Sequence, residues 1–296
     1  MLTLIRWLSH WSLSTLHAWG ALLGWLAYAA SPSYRQRLQA NAALAGLGAA
    51  QRRQAVAEAG KLVTELPWLW LRPTDRPLGD RVQWQGAELI DRALDEARGL
   101  VLLTPHMGCF EVSAQAFAER YGHRTRLTVM YRPARQPWLR QLEETSRERP
   151  GLATAPAALS GVRQMIRALR KGESVGLLPD QVPPEGMGVW APFYGQPAYT
   201  MTLAARLVQQ TGAALLLAWA ERLPQGRGYL LRIARPTQPL PVTAADDEAL
   251  QLACASAINA EMERLIAQCP GQYLWGYNRY KQPRKVHAAT GVEVAA

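Results

Sequence analysis

Within residues 104–111, TPHMGCFE, the chain sets a histidine, a cysteine and a glutamate around one glycine, directly after the apolar run GLVLL at 99–103. Histidine titrates near neutrality, and a carboxylate bonded to one ring nitrogen fixes the tautomer and makes the other nitrogen a better base. His106 and Glu111 stand five positions apart, which on one continuous helix would separate them by about 140°. Gly108 removes that obstacle. If a strand ends near Thr104 and a helix begins near Gly108 or Cys109, His106 lies in the loop. Glu111 then occupies the first helical turn, where the helix dipole favours a carboxylate that can turn back toward the loop. The pair reads as a general base and its orienting acid, a hydrolase triad without the serine. Two other readings stand beside it: an ordinary loop histidine with a helix-capping glutamate, and Cys109 as a thiolate nucleophile activated by His106. No H-E-x-x-H or comparable spacing occurs, so no metal site is expected.

Such a loop needs a strand to deliver it and a helix to receive it, and the chain alternates accordingly. RVQWQG (81–86) reads as a strand, AELIDRALDEARG (87–99) as an amphipathic helix, LVLLT (100–104) as a buried strand, and FEVSAQAFAERYG (110–122) as a helix closed by glycine. RLTVMYRP (126–133) and SVGLLPD (174–180) read as strands, and GVRQMIRALRKGE (161–173) and YTMTLAARLVQQTG (199–212) as helices. AALLLAWAER (213–222) and GYLLRIA (228–234) read as paired strands before a long helix over 246–268. Short apolar strands alternating with helices predict an α/β fold with a mainly parallel sheet covered on both faces.

Upstream, residues 4–30 are mostly apolar but interrupted by Arg6, His10 and His17, and read as a retained membrane anchor, tilted or lying in the interface. Arg35 and Arg37 would keep its end on the cytoplasmic side. Residues 33–71 read as helices with Leu38, Leu44, Val56, Leu62, Val63 and Leu66 facing inward, and RPTDRPLGD (72–80) breaks the pattern. The expected organisation is an anchor at 1–31, a helical segment and linker at 32–80, an α/β domain at 81–282 and a polar tail at 283–296.

With 49% hydrophobic residues in 296, the chain can bury a substantial core. A net charge of +10 and a pI near 9.9 select acidic partners. Six of the eleven tryptophans precede residue 71, which favours a membrane surface among them. No basic motif interleaved with aromatics accompanies the charge, so nucleic acid is not expected. Cys109, Cys254 and Cys269 form no C-x-x-C pair, which fits a reducing compartment.

HMGCFE is followed, in order, by MYRPARQP (130–137), RERPG (147–151), GLLPDQ (176–181), APFYGQPAYT (191–200) and QYLWGYNRYK (272–281). On these blocks the chain resembles the glycerolipid acyltransferase superfamily with its H-x4-D/E motif. Within it, the likeness is to the bacterial lipid A biosynthesis (late) acyltransferases of the lauroyl/myristoyl type, over nearly the whole length. The resemblance implies an acyltransferase-like α/β fold and direct acyl transfer from acyl carrier protein to a hydroxyl of a phosphorylated glycolipid. The reaction would take place at the cytoplasmic face of the inner membrane, with no bound cofactor. It implies His106 as general base, Glu111 as its orienting and charge-balancing acid, and Arg132 as a phosphate ligand. Asp180 with Gln181 matches the family's LPDQ block as substrate-binding residues, and Arg147 and Arg149 read as surface charges. Pro105, Cys109 and Phe110 replace the family's usual residues around the motif, and Gly276, Tyr277 and Asn278 replace its histidine and paired arginines. A lyso-glycerophospholipid or other lyso-lipid therefore stands as an alternative acceptor, and a basic, non-enzymatic membrane-binding protein as an alternative function.

Overall fold

Serines punctuate the N-terminal helices. In the computed structural model, which describes residues 2–131, 134, 136–147 and 149–285, α1 (Leu2–Leu8) and α2 (Leu13–Ala30) are separated by a break at 9–12. The Ser12 hydroxyl there accepts the Thr15 N–H and caps α2. Ser31 caps α3 (Pro32–Leu44), with proline in its first turn, and α4 (Ala49–Trp70) follows. Among the described residues no helix is long and apolar enough to cross a membrane. Instead α2 lies along α4. Gly20, Gly24 and Gly60 bring the two backbones so close that a Cβ on Gly60 would stand 1.9 Å from the Gly20 carbonyl oxygen.

The α/β body runs β1 (Val82–Gln85), α5 (Ala87–Asp95), β2 (Leu100–Leu103), α6 (Phe110–Tyr121), β3 (Leu127–Tyr131), α7 (Pro137–Arg147), β4 (Leu152–Pro156), α8 (Leu159–Arg170) and β5 (Ser174–Leu177). It continues with β6 (Gly188–Phe193), β7 (Gln196–Met201), α9 (Leu203–Thr211), β8 (Ala214–Arg222), β9 (Tyr229–Ala234) and α10 (Asp247–Gln268). Seven strands form one sheet in the order β1-β9-β8-β2-β5-β3-β4, and every adjacent pair is parallel except β8 with β9. The mainly parallel sheet flanked by helices is the fold class that the alternating pattern predicts.

The central strand shows why its sequence is apolar throughout. Leu100 and Leu102 face a core shared with α5 and α6, while Val101 and Leu103 face a second core shared with α3, α4, α8, α9 and α10. Both faces are covered, so no position is left for a polar residue.

Three departures from the sequence reading have physical reasons. Tyr199–Met201 were expected to open a helix, but they belong to β7, which pairs antiparallel with β6, and the helix begins at Leu203. β4, β6 and α7 were not read at all. On α4, Val56 and Leu62 are buried, whereas Val63 is 65% exposed, and Leu44 of α3 also faces outward. The inward face of α4 instead carries Glu58 and Glu65, because Arg222 at the end of β8 meets both: Nη1 donates to Glu58 at 2.6 Å and Nη2 to Glu65 at 2.5 Å. His17 and Tyr229 complete the shell around Glu65, each at 3.0 Å.

Candidate active site

The strand register builds the site. Leu103 of β2 pairs with Leu177 of β5, and His106 and Asp180 each lie three residues beyond their strand's paired leucine. Two parallel strands thus deliver a histidine and a carboxylate to the same sheet edge, at the carboxyl ends where open α/β sheets place ligands. The His106 ring donates from Nδ1 to Asp180 Oδ1 at 2.7 Å, and the His106 backbone N–H donates to Asp180 Oδ2 at 2.9 Å. An ionised carboxylate only accepts, so a neutral ring carries its proton on Nδ1 and its lone pair on Nε2. Asp180 is 1% exposed. Burial alone would raise its pKa, but His106 beside it and the hydrogen bonds it accepts outweigh burial and hold the carboxyl below its ordinary value.

Gly108 gives the loop its turn. Its φ is +59°, and a Cβ there would stand 1.8 Å from the Ala220 carbonyl oxygen. The Gly108 N–H donates to Gln272 O, the Cys109 N–H to Ala220 O, and Arg222 Nη2 donates to Gly108 O at 3.1 Å. The buried Arg222–Glu65 cluster therefore holds the loop that carries His106. The Arg222 guanidinium, with His17, overcomes the burial of Glu65 and keeps its carboxyl at about 2.

Glu111 occupies the first turn of α6, as the sequence predicts. The carboxylate that bonds the imidazole is nevertheless Asp180, and Glu111 accepts the Trp70 indole N–H at 3.4 Å. Both Asp180 oxygens accept hydrogen bonds from His106. Its neighbour Gln181 lines the cavity described below. Arg132 lies outside the described residues, as does the side chain of Arg147. Arg149, expected as a surface charge, is half-buried and donates to the Arg72 carbonyl at 2.7 Å, fastening the end of α4. Burial, with Arg72 close by, lowers its pKa to about 10. Cys109 is fully buried and absent from the cavity lining, and burial together with Glu65 pushes its thiol well up. That environment opposes a thiolate nucleophile. Among the described residues no three His, Cys, Asp or Glu side chains gather as a metal site would require.

His106 opens onto a cavity of about 480 Å³ between the sheet and α6. Leu102, Val129, Ala218 and Leu231 line it from the sheet, and Phe110, Ala114 and Phe117 from the helix. Tyr277, Lys281 and Arg284 also line it, and the sequence reading assigned no part to these three. Only the QYLWGYNRYK block pointed toward that region.

The model of the bacterial lipid A biosynthesis acyltransferases matches residues 1–282. The chain belongs to that family. It is accordingly an acyltransferase, which sets aside the non-enzymatic alternative. Similar family members include the lipid A biosynthesis lauroyltransferase of Escherichia coli (strain K12), 28% identical over 223 residues that cover 75% of this chain and 68% of that enzyme. The palmitoleoyltransferase of the same organism is 25% identical over 219 residues, covering 74% and 66%. Its myristoyltransferase is 25% identical over 196 residues, covering 66% and 57%. His106 and Glu111 both stand on the wall of the cavity.

Proposed function

We propose that this acyltransferase moves a fatty acyl chain from acyl carrier protein to a hydroxyl of a lipid A precursor by direct transfer. The observation that carries the reading is the His106–Asp180 pair at the head of an apolar cavity. His106 Nε2 takes the proton of the acceptor hydroxyl, whose oxygen attacks the thioester carbonyl. The tetrahedral intermediate collapses with cleavage of the C–S bond, and the departing thiolate recovers the proton. Asp180 fixes the tautomer and steadies the imidazolium. Glu111, on the same cavity wall, supplies further negative charge for the imidazolium, and Arg132 serves a phosphate of the acceptor or carrier. The apolar cavity receives the acyl chain, at roughly 0.8 kcal/mol per buried methylene.

The reaction takes place at the inner membrane, on its cytoplasmic face. Leu4, Trp7, Trp19, Leu22, Leu23 and Leu26 are exposed on α1 and α2, a face suited to lying in the interface rather than crossing it. A lyso-glycerophospholipid is the second acceptor to assay. The test supplies purified enzyme with acyl carrier protein thioester and either a lipid A precursor or a lyso-glycerophospholipid, and follows the product by mass spectrometry. Transfer to the lipid A precursor, reduced about 10³-fold in His106→Ala, is the expected result. Undiminished transfer by His106→Ala would overturn the mechanism.

A further inference from the structure

The described lining of the catalytic cavity is mostly apolar. Its charged members are Glu111 and two cations, Lys281 and Arg284. These cations come from the last described stretch of chain, which is tied down at three points. Arg279, 2% exposed, donates to the Tyr199 carbonyl and the Thr200 hydroxyl, each at 2.7 Å. The Tyr277 hydroxyl accepts the Val182 N–H at 3.0 Å, and the Arg284 carbonyl accepts the Glu185 N–H at 3.0 Å. Lys281 Nζ stands 5.2 Å from the Tyr277 ring centroid. The chain thus fixes a polar, positively charged strap against the 181–187 loop at an opening that otherwise leads into hydrocarbon-like surface.

We infer that Lys281 and Arg284 form a phosphate-binding subsite at the rim of the acyl cavity, an assignment that rests on the acyl-transfer reading. An amphiphile whose chain fills the apolar part must leave its polar part at the rim. Two cations three positions apart match a phosphate better than neutral sugar hydroxyls, because arginine binds its oxygens through a planar fork and lysine adds a point charge. The phosphate has two sources, the acceptor lipid or the phosphodiester of the carrier's prosthetic arm.

The double variant Lys281→Ala/Arg284→Ala separates them. If the phosphate is the acceptor's, KM for a phosphorylated lyso-lipid rises about tenfold with kcat little changed, and KM for its dephosphorylated counterpart stays put. If it is the donor's, KM rises for the carrier-bound thioester and not for a short thioester without phosphate. Unchanged KM for both phosphorylated substrates at low salt would overturn the subsite. Calorimetry with inorganic pyrophosphate supplies an arm independent of turnover: the wild-type chain binds it and the double variant does not, whereas equal binding sinks the proposal. A wild-type enzyme inactive on every acceptor would refute the acyl-transfer reading, while the calorimetric result would still decide the subsite.

Discussion

At the scale of single residues, the site turns on which carboxylate serves His106. Asp180 holds Nδ1 with one oxygen and the backbone N–H with the other, so it sets both the tautomer and the position of the ring. Asp180→Asn is expected to lower kcat by about 10²- to 10⁴-fold with little change in KM, because the amide favours the wrong tautomer while keeping the shape. Equal losses in kcat and substrate binding would instead mark Asp180 as a substrate ligand. Cys109 is buried in the core and its thiol is held protonated. Cys109→Ala should keep turnover, lower stability by about 1 kcal/mol, and yield no trapped acyl-enzyme change by mass spectrometry. The role of Asp180 was hard to read from sequence because it depends on the register between β2 and β5, strands more than seventy residues apart in the chain. The reactive loop itself was legible, since an apolar run, a glycine and a first-turn acid are all local signals.

At the scale of elements, α4 meets the end of β8 through Glu58, Glu65 and Arg222. Glu65 sits at about 2 against an ordinary 4.5. A folded pKa below the unfolded one contributes stability that is fully present above the unfolded value and is lost as pH falls toward the folded one. The contribution, on the order of 3 kcal/mol, should therefore fade between pH 4.5 and about 2, as chemical denaturation at several pH values would measure. In Arg222→Leu, His17 is left to oppose the burial of Glu65, and the Glu65 pKa rises. The variant should lose about 3–5 kcal/mol near neutrality, and its dependence on pH should reverse, with acid now relieving the penalty. This buried pairing was invisible in the sequence, where Glu65 and Arg222 lie 157 positions apart and two glutamates on a helix read as solvent-facing. β2, α6, β8 and β9 were legible because apolar runs and glycine stops mark them. β7 was not, because Tyr199–Met201 run into α9 with no break signal and only pairing with β6 makes them a strand.

At the scale of the whole molecule, α2 is clasped to α4 by its glycines on one side and presents Trp19, Leu22, Leu23 and Leu26 on the other. Replacing Trp19, Leu22 and Leu26 together by serine should weaken binding to anionic vesicles at least about tenfold while circular dichroism stays unchanged. Vesicle flotation indistinguishable from wild type would remove this face from the proposed interface.

The order of strands in the sheet also bears on how the chain comes into being. β1 is an edge strand whose partner is β9, with Val82 opposite Tyr229, and β2 borders β8, with Leu100 opposite Ala214. At ordinary synthesis rates β1 waits on the order of ten seconds for the segment that will cover it. A nascent chain halted before residue 214 carries β2 with one edge bare and Glu58 and Glu65 without their arginine. Stalled or truncated products of that length should accumulate with chaperones or in inclusion bodies, making completion of β8 and β9 the late checkpoint in biogenesis.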